Sequence, residues 1–101
     1  MLNISRIMEL KSEVGEDDFA EVVELFCEEM EEILDALHFA NRSSLAEKLH
    51  FLKGSAMNIG LDAVGDLCRS EELRLSADQN ATPNIAAIRA TYDASKSELL
   101  R

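Results

Sequence analysis

Tryptophan is absent from this 101-residue chain; proline occurs once, cysteine twice, glycine four times, and only five residues are aromatic. So few turn formers leave little room for the many tight turns of an all-β fold. Two cysteines do not make the cross-linked framework of a small secreted domain. Cys27 and Cys68 fall at apolar helical positions and read as buried, reduced thiols, for which the cytoplasm is the expected location. No run approaches the roughly 20 apolar residues that span a bilayer. The first residues carry Glu9 and Glu13 where a cleavable signal has a basic start and an apolar run. Basic residues are also scarce, 10 against 20 acidic ones, for a net charge of −10. The deficit lies in residues 1–40, where Arg6 and Lys11 stand against twelve acidic side chains. Residues 41–101 carry eight of each. An acidic chain without a basic stripe is a poor nucleic-acid binder. Its acidic half reads as a solvated helix face that aids solubility.

What is present is helical. The chain is 47% apolar and rich in Leu, Ala and Glu, which fits one all-α domain over residues 1–101. Asn3 caps a short helix over 3–13, with Ile4, Ile7 and Leu10 on one face, and Gly15 ends it. A long helix runs from Asp17 to about Ala40. Its seam of Phe19, Val23, Phe26, Met30, Ile33 and Leu37 alternates four and three residues, as in a bundle. Ser44 and Glu47 form a capping box for a third helix with Leu45, Leu49, Leu52, Ala56 and Ile59 inward. Gly60 reads as the left-handed residue after it, with Leu61 folding back toward Ala56. Asp62 caps a fourth helix that buries Val64, Leu67, Cys68 and Leu75. Thr82-Pro83 opens a fifth with Ile85, Ile88, Tyr92, Ser95 and Leu99. Short loops between four helices of useful length favour an antiparallel up-and-down four-helix bundle, with the short first helix covering one end.

The third helix contains an anomaly. Gly54 costs a helix interior roughly 1 kcal/mol against alanine, and it falls one turn after His50 and directly after Lys53. Helical side chains lean toward the N-terminus, so a side chain at 54 would lie back over 50. Its absence uncovers the imidazole, and Lys53, at i+3, sets an ammonium group over the same turn. Such a ring suits a visit by a large anionic partner.

The segment His50-Phe51-Leu52-Lys53-Gly54-Ser55-Ala56-Met57-Asn58-Ile59-Gly60 resembles the signature of histidine-containing phosphotransfer domains, H-x-L-K-G-S-A-x-x-[LI]-G. The likeness extends to Glu16-Asp17-Asp18-Phe19 leading into the acidic helix, and to Leu67-Cys68 with Glu71-Glu72, about residues 8–76 in all. The last helix matches in type only. The resemblance implies a four-helix bundle and a phosphorelay. His50 would accept a phosphoryl group from a receiver-domain aspartate, or from a sensor or hybrid histidine kinase, and pass it to another receiver. Lys53 would steady that group, Gly54 would leave room for the receiver, and Ser55 would belong to the supporting residues. The receiver would bring the aspartate and Mg²⁺, so the chain is expected to be a phosphocarrier with no cofactor or metal of its own. A chain that starts with Met and has no linker is expected to stand alone, as a monomer, without nucleic-acid or membrane partners.

Register adds candidates. In a hairpin turning near 60–61, facing positions sum to about 121 or 122, which places His50 level with 71–72. A polar side chain often stands here in the family; Glu72 is the first choice and Glu71 the alternative. A carboxylate would favour the Nδ1–H tautomer and leave Nε2 free to attack. A turn at 41–42 places Leu34 level with His50, so Leu34 and Met57 are candidates for an apolar docking patch. Two other functions compete with the relay. A docking module that has lost phosphotransfer would bind receivers without taking label. A metal-binding bundle oxidase would use Glu47 and His50 as a Glu-x-x-His pair; but His38 then lies roughly 7 Å of helix rise out of line.

Overall fold

A computed structural model describes residues 2–101. They form five α-helices, α1 (Ile4–Val14), α2 (Glu16–Ala36), α3 (Arg42–Asn58), α4 (Asp62–Ala77) and α5 (Ile85–Leu99), and no strand occurs among them. A 3₁₀ turn, Leu37–Phe39, ends the second helix earlier than the expected Ala40.

The most extensive packing is α3 on α4, with α5 against α4 and α2, and α1 against α2. Met57 lies against Gly65, Lys53 against Glu72, and Arg42 reaches the Leu75 carbonyl, so α3 and α4 fold back along each other. The turn between them is a Schellman motif: Leu61 N–H donates to Ala56 O at 2.8 Å and Gly60 N–H to Met57 O at 3.3 Å.

On α5 Ile88, Tyr92 and Ser95 are buried and Ile85 and Leu99 half-buried, and the inward stripe of α3 follows its spacing, with Leu45, Leu49, Leu52, Ala56 and Ile59 all buried. The stripe of α2 does not. Val23, Cys27, Met30, Leu34 and Leu37 are buried, whereas Phe19, Phe26 and Ile33 are only half-buried. The four–three alternation is kept but its phase is turned toward α5. The Tyr92 hydroxyl donates to Cys27 O at 3.3 Å and to Glu31 Oε2 at 2.6 Å, where Lys96 Nζ also donates at 2.6 Å. Those contacts draw the Cys27–Glu31 edge inward. They also hold the Glu31 carboxyl below its ordinary pKa, Lys96 foremost and Tyr92 next.

The caps differ from expectation as well. Asn41 begins α3, its Oδ1 accepting Ser44 N–H at 2.9 Å, while the Ser44 hydroxyl accepts from Lys48. No side chain caps α4. Asp62 instead accepts from Asn3 Nδ2 at 3.1 Å, tying α1 to it. Asn84, rather than Thr82, caps α5. In each case an asparagine or a tertiary contact outcompetes the local signal. The connection from α4 to α5 is gathered by one residue of α3: the Arg42 guanidinium donates to the carbonyls of Leu75, Asp78, Gln79 and Ala81.

α1 lies across the α3–α4 turn, as expected of an end cover. Asn3 N–H donates to Gly60 O at 2.8 Å, and Arg6 Nε to Asn58 O at 2.9 Å. Gly60 has φ +78°, and a Cβ there would stand 2.6 Å from Ile7 Cγ1 and 3.0 Å from Asn3 O. We therefore expect Gly60→Ala to destabilise the fold by about 1–3 kcal/mol, read as a lower urea midpoint. An unchanged midpoint would show that α1 yields without cost.

Candidate functional site

His50 stands on α3 with 74% of its side chain exposed. Its Nδ1 faces Glu72 Oε2 at 3.7 Å, longer than a hydrogen bond but within ion-pair reach of a protonated ring. Glu72 is about three-quarters buried on α4 and faces Lys53 too, with Nζ 3.3 Å from Oε1 and 3.4 Å from Oε2. His50, Lys53 and Glu72 thus form one cluster, with the ring nitrogen away from Glu72 turned to the open side.

A Cβ built on Gly54 meets nothing within 4 Å. The folded chain has room for a side chain there. Met57, next on this face, is 42% exposed and rests in the notch that Gly65 leaves on α4. Its thioether is therefore backed by the bundle yet open at the rim.

Three candidates lie apart from this surface. Leu34 is 1% exposed and belongs to the core, so it offers nothing to a docking partner; the turned phase of α2 is the reason. Ile33, its neighbour in sequence, is half-buried against the core. Ser55 is buried, one position round from the open face. Glu71 is 5% exposed and faces away from His50. Arg74 holds it in a fork at 2.9 and 3.0 Å, and it accepts Asn84 N–H from the start of α5. Adjacent helical residues point about 100° apart, which separates the two glutamates that register alone leaves level with His50.

Arg74 first, then the Asn84 amide, hold the Glu71 carboxyl below its ordinary pKa against the opposing effect of burial. A depressed folded pKa means stability that is present above the unfolded value and lost as pH falls through the folded one. Glu71→Gln should cost about 1–3 kcal/mol at pH 7 and flatten the loss of stability below about pH 4.5. Parallel acid limbs in the two proteins would refute this. Burial also pushes the Cys68 thiol up to about 12, with Glu72 and Glu71 adding to it. Cys27 and Cys68 are both free and buried, as their positions implied.

No group of three His, Cys, Asp or Glu side chains placed to hold a metal ion occurs among the described residues, and no helix is long and apolar enough to cross a membrane. A family model described as the Hpt domain matches residues 21–98. Comparison with curated proteins and with solved structures gives no match. The matched span takes in the last helix, which the motif-based likeness had covered in type only, and leaves α1 outside. Since it runs through α2 to α5 and contains the whole of His50–Gly60, the chain belongs to the Hpt domain family, the phosphotransfer modules of two-component signalling.

Proposed function

We propose that this protein is a phosphorelay carrier in which His50 Nε2 takes a phosphoryl group from a receiver aspartate, or from a sensor or hybrid kinase, and gives it to another receiver. The observation that carries this is an exposed imidazole, backed at Nδ1 by a carboxylate, beside a glycine whose missing side chain serves nothing inside the fold. With Nδ1 facing Glu72, the Nε2 lone pair attacks phosphorus. The P–O bond to the aspartate breaks as the P–N bond forms, and the aspartate leaves as a carboxylate. Lys53 balances the phosphoryl oxygens, and catalysis is otherwise positioning. The aspartate and Mg²⁺ belong to the receiver, so the carrier itself supplies no metal chemistry.

Within this reading α2–α5 form an antiparallel four-helix bundle with α1 as an accessory piece of the same single domain. The protein works in the cytoplasm as a monomer, and Met57 and Ile33 join the receiver-docking surface. The direction of phosphoryl flow is set by its partners.

The test is incubation with phosphorylated receiver domains. The expected result is transfer of acid-labile label to this protein in the presence of Mg²⁺. Binding without label would make it a docking module and overturn the carrier reading.

A further inference from the structure

Glu72 faces two partners at once, His50 and Lys53, and both contacts are loose. Its Oε2 is 3.7 Å from His50 Nδ1 and 3.4 Å from Lys53 Nζ, the latter at the outer limit of a hydrogen bond. Its Oε1 is buried and accepts no hydrogen bond, although Lys53 Nζ lies 3.3 Å away. Lys53 is therefore held by charge more than by directed bonding, and it remains 28% exposed on a flexible stem. His50 and Lys53 are i and i+3 on α3, side by side on the helix surface. A doubly charged phosphoryl group on Nε2 falls within the reach of that stem. Three other cations of α3 and α4 are engaged: Arg42 with four carbonyls, Arg74 with Glu71, and Lys48 with Ser44.

The geometry points to a contest for one ammonium group: Glu72 and the phosphoryl group on His50 compete for Lys53, and Glu72 thereby sets how readily phospho-His50 is lost. This rests on His50 being the phosphorylated residue. In the loose displacement typical of phosphoryl groups, negative charge leaves the phosphoryl oxygens as the P–N bond breaks. A cation resting on those oxygens favours the intact phosphohistidine. Glu72 draws that cation away, and so makes the bond more labile than a neutral amide in its place would. Glu72 is a positioning residue here, acting through Lys53.

The experiment needs no receiver. Phosphoramidate labels the imidazole directly: Nε2 attacks phosphorus, the donor's P–N bond breaks, and ammonia departs. Decay is then hydrolysis, in which water oxygen joins phosphorus, the Nε2–P bond breaks and the ring leaves as imidazole. Half-lives are measured at pH 7.5 for the parent protein, Glu72→Gln, Lys53→Met and the double variant. Glu72→Gln should lengthen the half-life about two- to fivefold, the scale of a partly exposed ion pair. Lys53→Met should shorten it, and in that background Glu72→Gln should change it by less than about 1.5-fold, because the contested group is gone. An equal effect of Glu72→Gln with and without Lys53, or a shorter half-life in Glu72→Gln, overturns the contest. Failure of receivers to transfer would instead overturn the relay and leave these half-lives as measured.

Discussion

A His50→Gln protein keeps its helical content and takes up no acid-labile phosphate from a phosphorylated receiver. The expected loss is complete because the amide carries no nucleophilic ring nitrogen, and no other histidine stands beside a lysine and a glycine on an open face. The fold is expected to be indifferent. Three-quarters of the side chain lies in water, and Glu72 faces it at 3.7 Å, beyond hydrogen-bond length. Substitutions at such places usually shift stability by no more than about 0.5 kcal/mol. Circular dichroism and phosphate uptake on the same sample separate the two effects. Label that persists on the variant would move the site elsewhere.

Gly54→Leu should divide stability from function in the opposite way. Helix propensity favours leucine over glycine by nearly 1 kcal/mol, and nothing within 4 Å of the new Cβ opposes it. The urea midpoint should therefore rise. Transfer from a receiver should fall by roughly 100-fold or more, because an isobutyl group lying back toward His50 keeps the aspartyl phosphate beyond in-line distance, and misplacement by about 1 Å costs that much. Phosphoramidate, small enough to pass, should still label the ring. Unimpaired receiver transfer by a stabilised variant would refute the clearance argument.

Much of this was legible in the chain because it is local. Gly60, the Schellman turn, the inward stripe of α3 and the cluster of His50, Lys53 and Gly54 all lie within residues 45–61, where helical periodicity fixes geometry. The phase of α2 was not local. It depends on Tyr92, 65 positions after Cys27, and that long-range contact turned Leu34 inward and left Ile33 at the rim. The preference for Glu72 over Glu71 could not rest on register for a similar reason. Register brought both level with His50, but Arg74 and the Asn84 amide decide which one turns away, and Asn84 lies beyond a loop. The capping serine and threonine were overruled by asparagines nearby that fit the same role.

The guanidinium of Arg42 makes a different kind of demand on the sequence. Everything it collects between α4 and α5 is main-chain oxygen, which any residue presents. The side chains of Gln79 and Asn80 are thus exempt from holding their own loop in place and are at liberty to drift, whereas the Asp78 carboxylate accepts Asn80 N–H and Ala81 packs on the core. Much of that obligation falls on a distant arginine, whose planar fork a lysine does not reproduce.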